Sequence, residues 1–245
     1  FGFLFPRDSR VHFSQARSDH LQMNSILADP AREKALALAQ IQVLKMWGSE
    51  RYRNFLVAPR RAEISMDWFE WFVGEWGVAR TIRIGCLPLV RDYLNTDFRA
   101  ELLDGDPCRA VDSAAELIQA RGWSSRSGRK GLPTRPISLV SKIGFFLCLG
   151  KLVPLDRYSI RGLNALRKLD RMPRVPAGSY QAYLAIFDAY YARQKPELIA
   201  ALNASWCAPL ADALGCPTAA LKSVSLQRKL FDNFLMRRSG YEQSI

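Results

Sequence analysis

Histidine is almost absent from this chain of 245 residues. The only two, His12 and His20, both lie in an N-terminal stretch that shows no clear periodicity. A catalytic triad built on histidine and a histidine-rich metal centre are therefore not expected. Any catalysis must rest on Lys, Asp, Glu, Ser or Tyr side chains.

Cysteine is also too sparse and too scattered to build a site. The chain has an odd number of cysteines with no Cys-x-x-Cys pair: Cys86, Cys108, Cys148, Cys207 and Cys216. This pattern argues against a zinc site, an iron–sulfur cluster and a disulfide framework. We expect no metal and no cofactor, and a reducing cytoplasm is the simplest setting.

Long apolar runs and an acidic surplus are missing as well. No run approaches the roughly 20 residues that span a bilayer, and no secretory signal pattern opens the sequence, so no membrane partner is expected. The chain has 35 Lys and Arg against 23 Asp and Glu, a net charge of +12. This surplus predicts a polyanionic partner, with nucleic acid the first expectation and an anionic membrane surface the second.

Helix-start signals, in contrast, recur along the chain. Asp29-Pro30 and Asp106-Pro107 place a capping aspartate before a proline at the first helical position, and Ser65 and Ser179 precede aromatic helical segments. Pro196 is expected to begin a further helix. Strand-like alternation is scarce, so the sequence predicts an all-α fold of about ten helices.

One segment rich in Gly, Ser, Pro and Arg, residues 123–136, interrupts the helical pattern. It predicts a basic loop that joins two lobes, 27–122 and 137–240, within a single unit spanning 1–245. Residues 1–26 are expected to form an irregular arm. We expect a monomer.

The stretch SLVSKIGFFLCLGKLVPLD places an apolar helix between Lys142 and Asp156. One interpretation is a snorkelling lysine and a helix-capping aspartate. The other is a nucleophile and its electrostatic partner. Burial and the positive helix N-terminus both lower the pKa of a lysine, as a nucleophilic amine at neutral pH requires. The segment after the helix is long enough to return Asp156, as an N-cap, to the side of Lys142.

The segment KIGFFLCLGKLVPLDRYSIRGL resembles the catalytic segment of the helix-hairpin-helix DNA glycosylases, especially the 8-oxoguanine DNA glycosylase fold. The similarity covers roughly residues 130–165. It implies a two-lobed helical glycosylase with Lys142 at the Schiff-base lysine and Asp156 at the essential aspartate. The family's Gly-x-Gly hairpin is replaced here by ISLVSK, which contains no glycine.

The resemblance also implies double-stranded DNA with a damaged or modified base as partner, and a bacterial, nucleoid-associated enzyme that flips the base out and cleaves its N-glycosidic bond. Associated lyase activity and a hydrolytic route both stay open, as do oxidised guanine and a modified phage cytosine. Some compact bacterial proteins of this fold act in anti-phage defence. The competing classes are a non-catalytic DNA-binding module and an RNA-binding or membrane-surface protein.

Basic and hydroxyl side chains flank the Lys142–Asp156 segment and are candidates for phosphate contacts, although a solvated basic face is the alternative. The candidates are Arg126, Arg129, Lys130, Arg135, Ser138, Ser141, Arg157 and Arg161. Trp76 and Phe231 are candidates to line a base pocket. The aromatic stripes to which they belong are more typical of core.

Overall fold

Eleven α-helices dominate the described part of the chain; the computed structural model describes residues 29–127, 132–176 and 178–241. The helices are α1 (Pro30–Gly48), α2 (Glu50–Val57), α3 (Met66–Glu75), α4 (Leu87–Asn95), α5 (Asp97–Asp104), α6 (Pro107–Ala120), α7 (Ile137–Leu147), α8 (Arg157–Leu169), α9 (Tyr180–Leu202), α10 (Cys207–Ala213) and α11 (Val224–Arg238). Three short 3-10 helices accompany them: Ala79–Thr81, Ile84–Cys86 and Thr218–Lys222. The predicted all-α class is confirmed, whereas the predicted arm 1–26 lies outside the described residues.

The predicted capping residues begin the helices as expected. The side chains of Asp29, Ser65, Asp106 and Ser179 each accept a hydrogen bond from a backbone N–H in the first turn of the helix that follows. Asp156 does the same for α8. These side chains satisfy donors that would otherwise have no partner at a helix start.

Pro196 does not begin a helix, and that prediction was wrong. It lies inside α9, which continues to Leu202. A proline removes one backbone hydrogen bond from a helix, that to the residue four positions earlier, here Ala192. Pro196 and Ala192 are both exposed, so water can replace the lost donor and the helix continues.

A small antiparallel ladder lies in the predicted basic loop 123–136. Strand β1 (Arg126–Ser127) pairs with β2 (Leu132–Pro133), with Arg126 opposite Pro133 and Ser127 opposite Leu132. These strands could not be predicted from the sequence, because two residues are too few to show an alternating pattern.

The core surrounds α7 and α11. Every residue of α7 except Ser138 is buried. Helix α11 packs against α1, α8 and α9. The first described helix therefore lies against the last one, across the predicted division into lobes 27–122 and 137–240. That division stays a prediction.

Helices α8 and α11 approach each other closely at Gly162. A Cβ atom at this position would lie 2.2 Å from the carbonyl oxygen of Leu235, so only glycine allows the two backbones to come this near. The contact fixes α8, which begins immediately after Asp156, against the helix that carries Lys229 and Asp232.

Candidate active site at the start of helix α8

Lys142 brings an amine into the core from the second turn of α7. The residue is 4% exposed. Its Nζ donates to the carbonyl oxygen of Trp76 at 3.0 Å and to Oδ2 of Asp156 at 3.1 Å. Trp76 is the C-cap of α3, where carbonyl oxygens lack helical donors, so the lysine supplies one. The predicted approach of Asp156 to Lys142 is therefore present in the structure.

The two carboxylate oxygens of Asp156 accept hydrogen bonds from different donors. Oδ1 accepts the backbone N–H of Tyr158 at 2.8 Å and so caps α8, while Oδ2 accepts from Lys142. The Asp156 side chain is 18% exposed, more than that of Lys142. The carboxylate thus lies at the outer side of the pair, where a ligand reaches it first.

Ser141 fastens the end of the loop that returns from α7. Its Oγ accepts the N–H of Leu155 at 2.9 Å and donates to the carbonyl oxygen of Ser138 at 3.1 Å. Ser141 is fully buried, so it cannot reach a phosphate, and its prediction as a DNA contact is corrected. Ser138 is partly exposed, and its prediction is untested.

Two tyrosines of α9 hold the same loop from the other side. The Tyr180 hydroxyl accepts the N–H of Val153 at 3.0 Å and donates to the carbonyl oxygen of Val153 at 2.7 Å. The Tyr183 hydroxyl donates to the carbonyl oxygen of Pro154 at 3.2 Å. Burial raises the pKa of both hydroxyls, so they stay protonated and able to donate. The position of Asp156 is fixed by the loop that precedes it.

The pKa of Lys142 is lowered from its ordinary value of 10.5. Burial is the largest cause, because a charged amine loses its hydration inside the core. The charge of Asp156 acts in the opposite direction, and the positive charge of Lys229 lowers the pKa further. An amine with a lowered pKa has a larger unprotonated fraction near neutral pH, which is the form that acts as a nucleophile.

Trp76 lies directly beside the lysine, and its place in a base pocket stays a prediction. The centroid of its ring is 5.6 Å from Lys142 Nζ, and its Nε1 donates to the Tyr52 hydroxyl at 2.7 Å. The ring is partly exposed and packs against Phe146 and Phe72. Trp76 therefore forms a wall of the site and also belongs to the aromatic core.

Phe231 is a core residue, which corrects its prediction as a residue that lines an open base pocket. It is fully buried, with its ring centroid 5.0 Å from that of Phe187. The helical spacing of the surrounding aromatic residues already favoured a core position, which the structure has.

A buried ionic cluster on α11 was not predicted from the sequence. Lys229 Nζ lies 2.6 Å from Oδ2 of Asp232, and Oδ1 of Asp232 accepts the hydroxyl of Ser159. The ring centroid of Trp76 is 5.0 Å from Lys229 Nζ, which joins this cluster to Lys142. Its only signal in the sequence was a Lys and an Asp three residues apart within the helical segment LQRKLFDNFL.

Two exposed arginines follow Asp156 on the first turns of α8. Arg157 and Arg161 are both exposed, and both guanidinium groups lie over the ring of Tyr158, at 4.7 and 5.5 Å from its centroid. They form a positively charged surface next to Asp156, and a contact with phosphate stays a prediction for both.

Arg135 does not face solvent freely. Its guanidinium donates to the carboxylates of Asp112 at 3.1 Å and Glu116 at 2.8 Å, and to the carbonyl oxygen of Gly178. Its prediction as a phosphate contact is corrected, because these acids already neutralise it and hold it between α6 and the start of α9. Arg129 and Lys130 lie outside the described residues, and for Arg126 only the backbone, in β1, is described.

Comparison with known proteins found no match. No family model, no curated protein and no solved structure matches the chain.

The described residues also lack two other kinds of feature. In residues 29–127, 132–176 and 178–241, no group of three or more His, Cys, Asp or Glu side chains is placed to hold a metal ion. In the same part of the chain, no helix is long and apolar enough to cross a membrane.

Proposed function

We propose that the chain is a DNA glycosylase of the helix-hairpin-helix type, with a two-lobed helical architecture, which excises a damaged or modified base. One observation carries the proposal: a buried lysine amine lies 3.1 Å from a capped, partly exposed carboxylate at the start of the next helix. The resemblance of residues 130–165 assigns the catalytic roles to these same two side chains.

The chemistry gives each side chain a role. Breaking the N-glycosidic bond develops positive charge on the deoxyribose, and a fixed carboxylate at Asp156 stabilises that charge where water is excluded. In the lyase-competent route, the Lys142 nitrogen forms a bond to C1′ while the C1′–N bond breaks. The base leaves with the bonding electrons and takes up a proton, and ring opening gives a Schiff base. In the hydrolytic route, water takes the place of the amine.

The surface beside the pair suits a polyanion. Arg157 and Arg161 project from the helix that Asp156 caps, so phosphates bound there would place a flipped nucleotide beside the carboxylate. The chain carries a net charge of +12, which favours duplex DNA as the partner. A role against modified phage DNA is part of the proposal, with cytosine modifications as the substrates to test beside oxidised guanine.

The test uses duplex oligonucleotides that carry 8-oxoguanine, glucosylated hydroxymethylcytosine or an abasic site, each incubated with the protein with and without borohydride. We expect base release from one of the modified duplexes. A lyase gives a covalent adduct mapped to Lys142, and the hydrolytic route gives release with no adduct. Asp156→Asn keeps an N-cap but removes the charge, and should lower the rate of base release by roughly 10²- to 10³-fold.

Lys151→Ala is the matched control, because it removes an exposed lysine from the loop between α7 and α8 and should leave both readouts unchanged.

The competing function is a non-catalytic DNA-binding module with the same surface. It is supported if no duplex loses a base and none is trapped while salt-sensitive duplex binding persists. That combination would contradict the glycosylase proposal.

A further inference from the structure

A second buried lysine stands next to the proposed nucleophile. Lys229 is 4% exposed, and Asp232, its partner one turn later on α11, is fully buried. Asp232 also accepts the hydroxyl of Ser159 on α8. Both oxygens of this aspartate are therefore occupied, and the Lys229 ammonium is held in one place.

The two lysines share the ring of Trp76. Lys142 Nζ and Lys229 Nζ lie 5.6 and 5.0 Å from the same ring centroid, although α7 and α11 are far apart in sequence. Two ammonium groups near one ring repel each other, and burial reduces the screening of that repulsion by water.

The charged and titratable groups that face Lys142 are few in the described part of the chain. The loop before α8 contributes Asp156, and α11 contributes Lys229 and Asp232. Helix α9 contributes the hydroxyl of Tyr183, which interacts with Asp156 and Asp232 and whose raised pKa keeps it neutral. Of these groups, Lys229 is the only cation.

We propose that Lys229 is a positioning residue of the active site, whose fixed charge disfavours protonation of Lys142 and keeps that amine available as a nucleophile. This role of Lys229 deepens the proposed function and rests on it, because it is the glycosylase mechanism that makes Lys142 a nucleophile. Lys229 has the fully buried carboxylate of Asp232 as its partner at 2.6 Å. Lys142 shares its more exposed carboxylate with a helix N-terminus, and burial lowers the pKa of its amine.

The balance of charges on α11 supports this direction. Lys229 lowers the pKa of Lys142 by more than Asp232 raises it, so the pair as a whole acts as a cation on Lys142. A lysine made nucleophilic by burial and by a neighbouring cation is an established way to activate an amine.

Stability alone does not account for the cluster. Burial of a lysine and an aspartate costs hydration that their attraction only partly returns, and an apolar pair of similar volume is often no less stable. An apolar pair could not change the charge around the Lys142 amine, whereas the Lys229–Asp232 pair can.

The test measures how fast Lys142 is methylated by formaldehyde and cyanoborohydride at a series of pH values, by mass spectrometry of its peptide in the full chain. Only the unprotonated amine reacts, and the exposed Lys168 serves as an internal reference. In Lys229→Met we expect the Lys142 rate at pH 7 to fall roughly fivefold to tenfold, with wild-type rates recovered at high pH. Lys229→Arg keeps the charge and should keep the wild-type profile.

Lys229→Met leaves Asp232 unpaired in the core, so the double variant Lys229→Met/Asp232→Asn is measured beside it. This variant leaves no stranded charge and should shift the profile in the same direction by a smaller amount. A wild-type profile in both folded variants would overturn the proposal, as would an equal shift in Lys229→Arg. No DNA is present, so the result is independent of whether the chain releases a base.

Discussion

At the scale of single residues, the unusual feature is a lysine at the centre of an apolar helix. Lys142 is surrounded on α7 by Ile143, Phe145 and Phe146, all of them buried. Its two acceptors, a helix-end carbonyl and a carboxylate, replace only part of the water that the ammonium loses. Protonation of this amine is consequently less favourable in the folded state than in the unfolded chain.

This difference predicts how stability depends on pH. The folded pKa of Lys142 is lowered below 10.5, so between the two values the unfolded chain binds more protons than the folded one. The free energy of unfolding of the wild type, measured relative to Lys142→Met, should therefore rise as the pH increases from that lowered value towards 10.5. Urea unfolding of both proteins at a series of pH values up to 10 checks this.

Lys151→Met serves as the reference, because it shows how much of any slope follows from the loss of a lysine as such. A difference between wild type and Lys142→Met that does not change with pH would contradict the lowered pKa.

At the scale of elements, the site depends on how closely α8 lies against α11. Asp156 and Ser159 belong to the start of α8, and their ionic partners come from α7 and α11. Gly162 is the point of closest approach, since a Cβ there would meet the backbone of Leu235. The two parts of the site are thus held together by this close backbone contact and by the hydrogen bond from Ser159 to Asp232.

Gly162→Ala should therefore destabilise the protein by about 2 to 3 kcal/mol, because the clash is with backbone and can be relieved only by moving a helix. The control is the same substitution at Gly74, an exposed position on α3 with no neighbour within 4 Å of the added atom. Gly74→Ala should stabilise the protein by about 0.5 to 1 kcal/mol. Chemical denaturation of both variants tests the pair, and effects of the same sign would contradict the close approach.

The local signals in the sequence were sufficient to place helix starts and the Lys142–Asp156 pair. Asp156 caps its helix and contacts Lys142. Both features could be predicted, because they depend only on a short segment and on the length of the returning loop. Lys229 was missed, since its position beside Trp76 results from the packing of α11 against distant parts of the chain. Pro196 was misjudged because a proline on an exposed helix face costs less than one in a buried helix.

At the scale of the whole molecule, positive charge is the dominant property. The net charge of +12 belongs to the entire chain, yet several arginines are neutralised by nearby acids. Arg135 is held between two acids of α6, and Arg53 is paired with Glu50. Arg157 and Arg161, in contrast, are exposed beside Asp156, where both guanidinium groups lie over the Tyr158 ring and Arg157 also donates to the Tyr158 hydroxyl. These two arginines therefore place exposed positive charge next to Asp156.

Duplex binding should depend on these two residues in a way that salt reveals. If each contacts one phosphate, Arg157→Ala and Arg161→Ala should each weaken duplex binding and reduce the slope of log K against log salt by about 0.9. Arg53→Ala removes the same charge from a position where Glu50 already neutralises it, and should leave the slope unchanged. Fluorescence anisotropy with an unmodified duplex at several salt concentrations measures all three, and an equal loss in the three variants would mean that binding follows total charge and not this surface.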